Sequence, residues 1–81
     1  MANTRTVTNK LRAAGFPMEL VRGNGYFYFT YSSEGVFETE SEMVYRFNDL
    51  SEVEWVKRGE EFGRKVRRWN VGAMSSAREQ G

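Results

Sequence analysis

The sequence predicts an α+β fold: an N-terminal helix, an antiparallel meander of three or four strands, and a C-terminal helix, with both helices on one face of the sheet. Three observations carry this. Five of the six residues from Tyr26 to Tyr31 are aromatic, and they follow directly on Gly23-Asn24-Gly25. Gly and Asn tolerate the positive φ of a tight hairpin turn, and aromatic side chains fit a pleated, packed surface. Ser51 is followed three residues later by Glu54, and Leu50 and Trp55 flank that pair. This is a capping box inside a hydrophobic staple, the signature of a helix start. Val7, Leu11 and Ala14 recur at the spacing of one helical face, ahead of Gly15 and Pro17, which end a helix.

In chain order, residues 1–5 read as a flexible N-terminus. A helix is predicted from Thr6 to Ala14, capped by Thr6 or Thr8, with Lys10 and Arg12 on its solvent side. Met18 to Arg22 reads as the first strand and Tyr26 to Tyr31 as the second. Ser32-Ser33-Glu34-Gly35 is a polar turn ending in glycine. Val36 to Thr39 opens a third extended piece. Met43, Tyr45 and Phe47 alternate with Glu42, Val44 and Arg46, the period-two pattern of a half-buried strand. Residues 36–47 therefore form one bent strand or two short ones. The second helix is predicted from Glu52 to Arg68, with Trp55, Phe62, Val66 and Trp69 on one face. Gly59 and Gly63 weaken it by up to about 1 kcal/mol each and suit close approach to a strand. Residues 70–81 are small and polar and read as a flexible tail, leaving a single domain over residues 6–69.

Composition narrows the chemistry. The chain has 81 residues, so it has room for one core. It contains no cysteine and no histidine, which removes disulfides, thiolate and imidazole metal ligands, and the commonest general base near neutral pH. An enzyme is therefore not expected, and neither is a cofactor or a metal. Glu38, Glu40 and Glu42 share a strand face, yet without histidine or a calcium-loop pattern they make a poor metal site. Packing must supply the stability, through 6 Phe, 4 Tyr and 2 Trp. No run approaches the roughly 20 apolar residues of a membrane span, and the start lacks the apolar stretch of a secretory signal. A soluble, cytoplasmic protein is expected.

The net charge of +1 conceals segregation. Seven carboxylates lie between Glu34 and Glu54 against Arg46 alone, and six cations lie between Lys57 and Arg68 against Glu60 and Glu61. The acidic stretch reads as edge-strand protection, or as a mimic of nucleic acid or a docking surface for a basic protein.

Two candidate sites follow. Strand alternation puts Phe27 and Phe29 against the helices and Tyr26 and Tyr28 on the open face. Arg22 across the turn and Arg46 on a neighbouring strand are expected to join the tyrosines. Tyr with Arg is a common composition of protein interfaces and also stacks on unpaired bases. The plain alternative is cross-strand packing on a small sheet. The second candidate is Arg64, Lys65, Arg67 and Arg68 with Trp69, which would hold phosphates and stack on a base. Its plain alternative is a solvated last helical turn, with Trp69 in the core. Gly23-Asn24-Gly25 lacks the following helix and lysine of a phosphate loop.

The helix–three strands–helix order resembles the double-stranded RNA-binding domain. That family presents lysines at the start of its second helix, where this chain has Ser51-Glu52-Val53-Glu54. Separately, Glu19-Leu20-Val21-Arg22-Gly23-Asn24-Gly25-Tyr26-Phe27-Tyr28-Phe29, Val44-Tyr45-Arg46-Phe47-Asn48-Asp49-Leu50 and Trp55 resemble a pattern in small accessory proteins of bacteriophages and mobile elements, over about half the chain. That resemblance implies a protein partner in the host cytoplasm: a host defence complex, such as a restriction or CRISPR system, that the protein inhibits. The leading expectation is thus a non-enzymatic module acting through protein contacts. The alternative is a nucleic-acid binder using the basic helix end. An exposed aromatic sheet face fits a homodimer seam equally well.

Overall fold

In the computed structural model, the backbone is described for residues 2–80 and the side chains for residues 2–69. The elements run α1 (Thr4–Ala13), β1 (Met18–Arg22), β2 (Phe27–Ser33), β3 (Val36–Glu42), a short 3-10 helix (Phe47–Asp49) and α2 (Glu52–Gln80). The three strands form one antiparallel sheet in the order β1-β2-β3. The architecture is the predicted α+β meander with a helix at each end.

Helix α1 starts two residues earlier than Thr6. Asn3, not a threonine, is the cap: its side chain accepts from the Thr6 N–H at 3.0 Å, and the Thr6 hydroxyl accepts from the Asn3 N–H at 3.0 Å. The helix ends in a Schellman motif, with Gly15 at φ 93° and the Phe16 N–H donating to the Leu11 carbonyl at 3.1 Å. This ending folds Phe16 back onto Leu11 in the core.

The strand register sorts the side chains. Leu20 pairs with Phe29 and Met18 with Tyr31, while Phe29 pairs with Glu40 and Phe27 with Glu42. These residues share the helix-facing side. Met18, Leu20, Phe27, Phe29 and Tyr31 are buried there with Trp55, Phe62 and Val66 of α2. The β2–β3 turn places Glu34 and Gly35 at φ 43° and 83°, the positive values of a two-residue hairpin loop.

The period-two pattern over residues 42–47 does not form a strand. β3 ends at Glu42, and Met43 and Tyr45 are 83% and 74% exposed. Asp49 accepts the Arg46 N–H at 3.2 Å, and the Trp55 indole N–H donates to the Phe47 carbonyl at 2.8 Å. A cap and an anchored aromatic thus hold this segment without a partner strand, and of the three residues of one parity only Phe47 is buried.

Helix α2 begins as the capping signal predicts. Ser51 Oγ accepts the Glu54 N–H at 3.1 Å, and Trp55 is fully buried, stacked on Phe47 at 5.5 Å. Gly59 and Gly63 make the close approach possible. A Cβ at Gly59 would stand 2.7 Å from a Leu11 methyl, and one at Gly63 would stand 2.4 Å from the Phe16 ring. The helix continues past Arg68 to Gln80. The expected flexible tail over 70–81 falls where side chains lie outside the described residues. Trp69 is not in the core: it is 52% exposed, with Lys65 Nζ 5.4 Å from its ring centre. No helix among the described residues is long and apolar enough to cross a membrane.

Candidate functional site

The sheet face away from the helices carries the odd-numbered residues of β1 and β3 and the even-numbered residues of β2. Val21, Tyr28 and Ser41 form one row across the strands, and Glu19, Thr30 and Thr39 the next. Phe37, opposite Ser32, is 65% exposed. Glu19 is the one residue charged at neutral pH among these strand positions. A solvated sheet face ordinarily takes the charged residues. Here the charges of β3 lie on the opposite side.

Tyr26 and Tyr28 come together as expected, with ring centroids 5.9 Å apart and planes tilted by 34°. Tyr26 also covers the turn: a Cβ on Gly23 would lie 2.7 Å from its ring. This is the shielding of a strand-end glycine by an aromatic neighbour. The Gly23 N–H donates to the Tyr26 carbonyl at 2.8 Å and closes the hairpin.

The two arginines assigned to this site are placed differently from expectation. Arg22 pairs with Phe27, so it belongs to the helix-facing side, and its guanidinium lies 5.3 Å from the Phe27 ring centre. Arg46 is on no strand; it precedes the 3-10 helix and is exposed. Arg22 nevertheless stands at the hairpin end of the sheet. There a cleft of about 330 Å³ is lined by Arg22, Tyr26 and Tyr45 with the turn between them. Tyr45 is the site residue missed by sequence reasoning. Its parity with Phe47 suggested partial burial, whereas Asn48-Asp49 was the available signal for a turn.

The basic helix end is divided. Lys65 pairs with Glu40 at 2.8 Å, and Arg64 with Glu60 at 3.6 Å. Arg67 turns the other way. Its Nε donates to the Tyr31 hydroxyl at 3.2 Å, another guanidinium nitrogen donates to the Gly15 carbonyl at 2.5 Å, and the group lies 4.3 Å from the Phe16 ring centre. Arg68 is exposed and makes no ion pair among the described residues. Three of these four cations thus have intramolecular partners and point in different directions.

The acidic stretch is the counterpart of that arrangement. Glu42 meets Arg58 at 3.1 Å, beside Glu40 with Lys65. A cleft of about 480 Å³ opens between β3 and α2, floored by Phe62 and edged by these pairs. Arg58 Nε is buried there with no acceptor among the described residues. Among the described residues, no three acidic side chains gather as a metal site. On the other side of α2, Glu52 accepts from Lys10 and from the Thr6 hydroxyl, which hold its carboxyl below the ordinary value of 4.5.

Comparisons of the chain with protein families, with curated proteins and with solved structures find no match.

Proposed function

We propose that the protein is a small non-enzymatic binding module that acts through protein–protein contacts. Its surface is the outer sheet face around Tyr28, continued at the hairpin end by Tyr26 and Tyr45 with Arg22. The observation that carries this reading is the distribution of charge on β3. Glu38, Glu40 and Glu42 lie on the helix side, leaving Phe37, Thr39 and Ser41 outside. A face whose one charged strand residue is Glu19, with aromatics on it and Arg22 at its margin, has the composition of an interface core and its rim.

The resemblance to accessory proteins of bacteriophages and mobile elements supplies a context for this reading. The partner would be a host defence complex in the host cytoplasm, and the protein its inhibitor. The nucleic-acid alternative draws less support, because Lys65 and Arg67 are engaged within the fold.

The test is Tyr28→Ala. Unlike Tyr26, Tyr28 shields no glycine, so the variant is expected to keep its thermal unfolding midpoint within a few degrees. Its affinity for the partner captured by the wild-type protein should fall by about 2 kcal/mol or more, roughly thirtyfold. Retention of random RNA or DNA at moderate salt, abolished by Arg68→Glu, would overturn the proposal in favour of nucleic-acid binding.

A further inference from the structure

The sheet has two edges, and they are finished differently. In an antiparallel pair, alternate residues direct both backbone groups toward the partner strand. The Gly23–Tyr26 bond sets the phase of this alternation. On β1 it leaves Met18, Leu20 and Arg22 facing outward. Helix α1 covers two of these: the Leu20 N–H donates to Thr8 Oγ1 at 3.0 Å, and Arg12 Nε donates to the Met18 carbonyl at 3.2 Å. On β3 the same phase leaves Phe37, Thr39 and Ser41 facing outward. Among the described residues, no donor or acceptor meets their N–H and C=O groups. β3 has no proline, and all three of these residues are exposed.

We infer that the β3 edge receives an extended basic segment of a partner protein as a fourth antiparallel strand. This goes beyond the outer-face reading and stands without it. The segment would carry cations at alternate positions and uncharged residues between them. Residues opposite Phe37, Thr39 and Ser41 would extend the outer face. Residues opposite Glu38 and Glu40 would point to the helix side, into the cleft between β3 and α2. Glu38 is exposed and makes no ion pair among the described residues. It shares its side of β3 with Glu40 and Glu42, and the cleft itself is lined by Glu40, Glu42, Glu54 and Glu61 against Lys57, Arg58 and Lys65. Opposite charges directly across a pair stabilise it, and like charges destabilise it.

That rule also disfavours a second copy of this chain. Two identical edges related by a two-fold axis pair antiparallel. Every such register sets the row Val36, Glu38, Glu40 and Glu42 against itself, and all that pair more than three residues of β3 put carboxylate against carboxylate.

The test uses a synthetic peptide, Lys-Thr-Lys-Val-Lys-Thr-Lys, blocked at both ends. Its control has the same composition with all lysines grouped at one end. Binding is followed by fluorescence anisotropy, and amide hydrogen exchange is read residue by residue. The alternating peptide is expected to bind more tightly than the control and to slow exchange at Phe37, Thr39 and Ser41. Thr39→Pro removes the central outward N–H without touching the β2–β3 bonds and should weaken binding about tenfold. Glu38→Lys, at an exposed position, gives a second readout if that variant unfolds, with an expected loss of about threefold. Tyr28→Ala should leave this binding unchanged, so failure here is distinguishable from failure of the outer face. Equal binding of both peptides, protection elsewhere in the chain, or protection accompanied by a dimer mass without peptide would each overturn the inference.

Discussion

The margins of the sheet under β1 and β3 are closed against the helices by different means. Along β1, the seal is apolar and tight. Val7 and Leu11 of α1 are fully buried, Phe16 folds in behind them, and the two glycines of α2 let both Leu11 and Phe16 reach its backbone. Along β3, Val36 is the one apolar residue on the helix-facing side, and it is only partly buried. Glu40 and Glu42 meet Lys65 and Arg58 there instead. The acidic and basic stretches, which look like two separate charge runs in the sequence, are two walls of one polar seam. Part of the charge segregation along the chain is thus spent inside the fold, in the Glu40–Lys65 and Glu42–Arg58 pairs.

If the β1 side is the close-packed one, adding a single carbon there should be costly. Gly63→Ala would put a methyl 2.4 Å from the Phe16 ring, and Arg67 already lies against that ring, 4.3 Å from its centre. Overpacking of this kind costs typically about 1–3 kcal/mol, and the better helix propensity of alanine returns roughly 1 kcal/mol at most. A net loss of about 1–2 kcal/mol is expected from the midpoint of urea unfolding. Unchanged or raised stability would show that Phe16 and Met18 can shift freely, and the contrast between the margins would collapse.

The β3 side should respond far less. Lys65 and Glu40 are 43% and 33% exposed, so solvent screens their pairing. Lys65→Met should change stability by no more than about 1 kcal/mol, and 1 M salt should erase most of the difference. A loss comparable to that of Gly63→Ala, persisting in high salt, would mean that the seam holds the sheet as firmly as the apolar margin does.

The same contrast explains what could be read from the sequence. Tyr26 and Tyr28 were separable from Phe27 and Phe29 because strand alternation is local and tolerates no drift over so short a run. The start of α2 was legible because Ser51, Glu54, Leu50 and Trp55 signal within one helical turn. The seam was not, since its partners are 16 and 25 positions apart and meet only once α2 is laid over the sheet. Arg22 was misassigned for a related reason: its side depends on its register with Phe27 across the turn. The reading of residues 42–47 failed because period two does not require a partner strand. Buried Phe47 and partly buried Val44 are three residues apart, so burial here does not follow the period-two spacing of the apolar residues.

A third junction lies between these margins, where α1 meets the first turn of α2. Lys10 donates to Glu52, and the Thr6 hydroxyl donates to the same carboxylate at 2.9 Å. These two donors, Lys10 foremost, hold the Glu52 carboxyl below its ordinary value of 4.5. A carboxyl whose folded value is lowered contributes stability that is fully present above the unfolded value. The contribution is lost as pH falls through the folded value, below which the carboxyl is protonated in the fold and the open chain alike. Glu52→Gln should therefore unfold at lower denaturant than the wild type at neutral pH. The gap between the two should close as pH is taken below 4.5. A gap that stays constant into acid would assign the loss to the hydrogen bond with Thr6 or to helix capping, and would leave the charge of Lys10 without a role in joining the helices.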